Sequence, residues 1–184
     1  MSTPDAPFEI PAPLESPEAH LDGLGERFLL ALAAREKGDV DEAAEALRAI
    51  LRIEPRLPEP QMELARLLLE AGQLDEAEER AREAIQLLES GGQWTDDVPE
   101  PVVQSLAWDL LGEILRTQAD QDEVVFGDPD AWKALIGEAR DAFKRAAALD
   151  PDNEHAVHAA FGFDPGDAVE RDEPEADEPA PAEG

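Results

Sequence analysis

Two stretches of this chain decide its fold: GDVDEAAEALRAILRIEP, from Gly38 to Pro55, and GQLDEAEERAREAIQLLE, from Gly72 to Glu89. Their first glycines stand 34 residues apart, and each is followed by a polar residue, an aliphatic one and the triplet Asp-Glu-Ala. After Gly38, Ala43, Leu47, Ile50 and Leu51 return at the spacing of one helix face, which predicts a helix from Val40 to Ile53. After Gly72 a second such helix is predicted from Leu74 to about Leu88. Each glycine also ends an earlier helix. Leu24, Phe28, Leu29 and Leu32 face one that runs to about Lys37, and Met62, Leu64, Ala65, Leu67, Leu68 and Leu69 supply the face of another, from about Glu59 to Ala71. Pro55 and Pro58 close the first pair, and Ser90, Gly91 and Gly92 the second.

A length of 34 residues thus holds one antiparallel helix pair and two short turns. A single pair cannot bury its apolar face alone, so repetition of the length lets each pair stack on the last. Ala43 and Ala77 are small because the helices of a pair cross closely there, and leucine at either place is expected to force them apart.

A third unit carries a fuller pattern. Trp108, Leu111, Gly112 and Leu115 read W-x2-L-G-x2-L, and Ala139, Phe143 and Pro151 read A-x3-F…P. With one substitution in the first pattern, these residues resemble the tetratricopeptide repeat. Ala43, Leu47 and Pro55 keep the same spacing in the first repeat; the second has Ala77 and Ala81, but Glu89 where proline would stand. The resemblance covers Leu24 to about Phe161. It implies an all-α fold, an α-solenoid: a right-handed superhelix of antiparallel helix pairs closed by a short C-terminal capping helix. The expected folded domain is 22–163, with repeats at about 24–57, 58–91 and 105–153.

The third repeat departs from the period. Ala77 and Ala139 are 62 residues apart rather than 34, so 28 residues have entered, near 90–104 and 118–132. In the second insertion Asp128 and Pro129 read as an N-cap and first helical residue, which would lengthen the last long helix by about two turns. Val124, Val125 and Phe126 are then left in a loop at its mouth, expected to fold back onto the bundle. Beyond Pro151, Asp152 or Asn153 can cap a final helix over 153–161.

Composition narrows the function. The formal net charge of −30 opposes nucleic acid and anionic membrane surfaces and favours a basic partner. With no cysteine, neither disulfides nor thiolate metal sites can form. Residues 1–21 and 164–184 are rich in acids and proline and poor in large apolar side chains, and they are expected to be disordered. The N-terminus lacks a basic n-region, and no window of about 18 apolar residues exists, so the expected setting is a bacterial cytoplasm.

No catalytic signature stands out. The chain lacks G-x-S-x-G, a P-loop and a dinucleotide fingerprint, and its many carboxylates fall on solvated helix faces, so no enzyme and no cofactor is expected. His155 and His158, beside Glu154, are spaced to touch one metal ion, but the sequence fixes no third ligand, and surface or capping histidines are the better reading. What the resemblance does imply is a concave groove lined by the first helix of each repeat. Carried over residue by residue, it comprises Phe28, Leu32 and Arg35, then Met62, Arg66 and Leu69, then Asp109, Glu113 and Arg116. Relatives that clamp a peptide's terminal carboxylate do so with lysines, asparagines and an arginine. Phe28, Leu32, Asp109 and Glu113 occupy the matching places here, so that clamp is missing. The expected role is a protein–protein adaptor whose partner offers apolar anchors and basic residues. The alternative is a dedicated chaperone like the small acidic three-repeat proteins that hold secreted clients. An exposed end face leaves self-association open, and the 118–132 insertion could hide an unrecognised enzyme site.

Overall fold

The computed structural model describes residues 17–95 and 97–161, which form eight helices and no strand. They are α1 (Pro17–Lys37), α2 (Val40–Ile53), α3 (Pro58–Glu70), α4 (Leu74–Glu89), α5 (Glu100–Ala119), α6 (Asp122–Gly127), α7 (Pro129–Leu149) and α8 (Glu154–Phe161). The fold is all-α, and its helices fall into two compact units that divide after Trp94. None of the described helices is long and apolar enough to cross a membrane.

In the N-terminal unit α1 packs on α2, α2 on α3 and α3 on α4. The two repeat glycines make the turns in the same way. Gly38 and Gly72 take φ values of +87° and +72°, a region that costs a side chain steric strain. This bend lets Asp39 N–H reach Ala34 O at 3.0 Å and Gln73 N–H reach Leu68 O at 2.8 Å, so the last carbonyls of α1 and α3 are satisfied. Pro58 opens α3 at a position where a missing N–H costs nothing. Ala43, Ala77, Ala81 and Ala84 are fully buried, and Leu47, Ile50, Leu64, Leu67 and Leu88 fill the core around them.

The C-terminal unit pairs α5 with α7, against which α8 and α6 also pack. Gly112 explains its place in the pattern W-x2-L-G: a Cβ there would lie 2.7 Å from the buried Phe143 ring. The helices touch because glycine leaves room for the phenylalanine. Trp108 covers Ala146, Ala147 and Ala156, and the Arg145 guanidinium lies 4.5 Å from its ring centroid.

Two expectations change. Residues 1–16 and 164–184 lie outside the described residues, but 17–21, read as part of the disordered lead-in, begin α1, with Pro17 suited to a first helical position. Within the first insertion the Trp94 backbone N–H donates to Glu59 at 3.0 Å, and the Trp94 ring sits 5.6 Å from that of Phe28, against the cluster of Leu24, Ile50 and Leu57. Finally, Val124, Val125 and Phe126 are not a loop folded back on the bundle. They form α6, whose six residues are too few to turn an apolar face fully inward, and Phe126 is left 82 % exposed.

Two helical glycines of the C-terminal unit predict opposite responses to alanine. Gly112→Ala drives a methyl group into Phe143 and is expected to lower stability by about 1–2 kcal/mol, the gain in helix propensity offsetting only part of the overpacking. Gly137, exposed on α7 with nothing within 4 Å of its added Cβ, is expected to gain about 0.5–1 kcal/mol. Urea unfolding of the two variants checks both signs.

Candidate functional site

A concavity of the C-terminal unit is walled in part by the insertion that breaks the repeat period. Helix α4 starts three residues before Ala77, whereas α7 starts ten residues before the equivalent Ala139. The seven additional residues make about two turns. Asp128 holds their beginning, its Oδ1 accepting from Asp130 N–H at 3.2 Å and Ala131 N–H at 3.0 Å. Trp132 lies within the additional turns and Ile136 just at their end, and both wall a pocket of about 510 Å³. Ala139 and Phe143 continue the apolar lining along α7, together with Arg140. The end of α5 contributes Arg116 and Asp120, and α8 contributes His155, His158 and Ala159.

Helix α8 is fixed in place by polar contacts. Of the two residues the sequence offered as its cap, Asn153 is the one used: its Oδ1 accepts from Ala156 N–H at 3.1 Å. The same side chain reaches back to α5, where its Nδ2 donates to Ser105 Oγ at 3.1 Å, and the buried Ser105 donates to Ala146 O at 2.9 Å. One residue thus starts α8 and ties it to α5 and α7. Further along, His155 Nδ1 lies 2.8 Å from Asp109 Oδ1, and its Nε2 lies 3.6 Å from Glu113 Oε1. Its ring meets Phe143 edge-on with centroids 5.7 Å apart.

The nine groove residues read from the sequence are distributed unequally. In the N-terminal unit, Arg35 of α1 pairs with Glu63 of α3, and Arg66 Nε lies 3.9 Å from the same carboxylate. Leu32 and Leu69 are half-buried. Phe28 is packed into the cluster around Trp94, and Met62, at 7 % exposure, belongs to the core, so neither stands out as an anchor on the surface. In the C-terminal unit Asp109 and Glu113 hold His155, while Arg116 lies over Phe143, 5.8 Å from its centroid. Sequence reasoning missed Trp132, Ile136, Arg140 and His158 as members of one pocket. The lengthened helix was legible from Asp128 and Pro129, but which of its residues face α5 and α8 depends on tertiary packing. Among the described residues no group of three or more histidines, aspartates or glutamates is placed to hold a metal ion.

Comparison with known proteins adds the following. A family model described as Tetratricopeptide repeat matches residues 34–107. No curated protein matches. Two solved structures of MamA are similar to this chain: one, at 17 % identity and a TM-score of 0.31, covers 71 % of this chain and 80 % of that one. The other, also at 17 % identity with a TM-score of 0.32, covers 74 % of this chain and 80 % of its own.

The dual role of Asn153 gives a prediction about the pocket wall. Asn153→Ala removes both the cap and the bridge to Ser105 and is expected to cost about 1–2 kcal/mol, with faster amide exchange throughout α8. Asn153→Asp keeps the cap acceptor and is expected to lose less. Denaturant unfolding combined with hydrogen exchange separates the two.

Proposed function

We propose, from the premise that this chain belongs to the tetratricopeptide-repeat family over residues 34–107, that it is a non-catalytic adaptor binding a segment of another protein across its first helices. Domains of this family generally bind other proteins. The observation that carries the finer reading is the Arg35–Glu63 ion pair. These residues stand 28 apart in sequence with α2 between them, yet their side chains meet, so the first helices of successive repeats come within reach of an ion pair in the N-terminal unit. First helices within side-chain reach of each other support the reading that an extended segment can lie across both. Leu32 and Leu69 provide half-buried apolar positions there, and the excess of acid over the whole chain favours basic residues beside the partner's anchors.

A dedicated chaperone is the second reading. It is supported by large apolar side chains left in solvent, Leu29 and Leu30 on α1 at 66 % and 70 % exposure. Such a chaperone would copurify with one aggregation-prone client, whereas an adaptor would exchange several partners.

The test is a quantitative pull-down at low and high salt with the full chain and with a Leu32→Glu/Leu69→Glu variant whose helicity is verified. The variant is expected to lose at least about tenfold in retained partner at both salts. Undiminished retention by a folded variant would overturn the first-helix assignment, and retention that vanishes with salt alone would transfer binding to the acidic segments.

A further inference from the structure

We propose that the open face of α1 is a homodimer contact, across which α1 of a second copy packs antiparallel. Helix α1 packs on α2, yet a strip of it stays in solvent: Glu26 and Lys37 are exposed, Leu30 is 70 % exposed, and Leu29 stands beside it at 66 %. Glu26, Leu30, half-buried Ala33 and Lys37 follow one another at steps of four, three and four residues, so they form one stripe down the helix. Leu30 and the groove residue Leu32 are about 160° apart around α1. The stripe is therefore distinct from the first-helix surface, and the proposal does not depend on that reading.

The order of the four residues is self-complementary. With a two-fold axis level with the middle of the stripe, Glu26 faces Lys37 of the second copy and Leu30 faces its Ala33, and symmetry repeats each contact. Leucine set against alanine is a large side chain meeting a small one, which lets two helices approach closely. A parallel pair in register would oppose Glu26 to Glu26 and Lys37 to Lys37, so the charges select the antiparallel sense. Among the described residues neither Glu26 nor Lys37 forms an ion pair, and both are free to meet a second copy.

Charge balance also favours a second copy over a strongly basic or acidic partner. The chain has 45 acids against 15 lysines and arginines, but on the exposed positions of α1 from Gly23 to Lys37 two acids, Glu26 and Glu36, stand with two bases, Arg27 and Lys37. Arg35, in the same span, is taken by Glu63. A balanced stripe matches its own copy, and at physiological salt repulsion between charges more than about 8 Å apart is largely screened. The dimer would cover Leu29 and Leu30, the side chains behind the chaperone reading. One contact between two helices buries less than the roughly 1,200–2,000 Å² of a standard interface, so a Kd on the order of 10–100 μM is expected.

Sedimentation equilibrium of the full chain, from about 1 μM to about 1 mM, brackets that Kd and is expected to show a monomer and a dimer only. Leu30→Glu, at an exposed position, is expected to raise Kd about tenfold or more. Glu26→Lys and Lys37→Glu each place like charges opposite one another and are expected to raise it about threefold or more. Combined in one chain, the two exchanges restore the pair in the reverse sense, and Kd is expected to return to its original value. Leu32→Glu/Leu69→Glu is expected to leave the dimer unchanged, and circular dichroism verifies that each variant stays helical. A chain monomeric over the whole range, indifference to Leu30→Glu, no recovery in the double exchange, or assembly beyond the dimer would each overturn the proposal. None of these outcomes alters the pull-down result on which the first-helix reading stands.

Discussion

Helices can cross closely only where the side chains between them are small, and that constraint underlies every pair in this chain. Ala43 and Ala77 are fully buried at equivalent points of the first two repeats, and Ala139 is nearly so in the third. In the C-terminal unit the demand is stricter, because Phe143 lies against the Cα of Gly112 with no space for a methyl group. Protein interiors are packed densely enough that such an approach cannot be relaxed locally, so register along the whole pair follows from it. The turns are subordinate to this packing. Gly38 and Gly72 reverse the chain in two residues and satisfy the last carbonyls of the preceding helix, which keeps each second helix against its partner.

Once the crossing point is fixed, additional residues can be absorbed only at helix ends. The insertion before α7 shows how. The residues before Ala139 do not disturb the α5–α7 contact; they extend α7 backwards from it, capped by Asp128, and add α6 ahead of the cap. The lengthened part of α7, residues 129–135, holds only exposed and half-buried side chains. Trp132 and Ile136 consequently line a cavity, a change of surface achieved without altering the repeat that carries it.

Electrostatics is used at two scales. Across the chain the surplus of acid sets a field that repels polyanions and draws basic segments, an influence mainly on encounter rate that salt weakens. At contact range individual acids are committed to structure: Glu63 to Arg35, Glu59 to the Trp94 backbone, Asp109 and Glu113 to His155. Partner choice therefore follows from which charges remain at a surface after these commitments.

The sequence by itself determined the helices, their pairing and the resemblance to tetratricopeptide repeats, because these depend on local periodicity and on turn chemistry that recurs every 34 residues. The pattern around Trp108, Gly112 and Phe143 was equally legible, since close helix packing restricts those positions to particular shapes. The tertiary structure alone decided which nominal groove residues are available. Met62 and Arg66 share a helix and a plausible spacing, yet the first is buried among neighbours from other helices and the second stays at the surface beside Glu63. It also decided that Asn153 rather than Asp152 caps α8, because only Asn153 can bond Ala156 and reach Ser105, 48 residues earlier, with the same side chain. The pocket around Arg116 and Trp132 was invisible for the same reason: its members come from three helices, and nothing in their sequence spacing encodes the contacts that gather them.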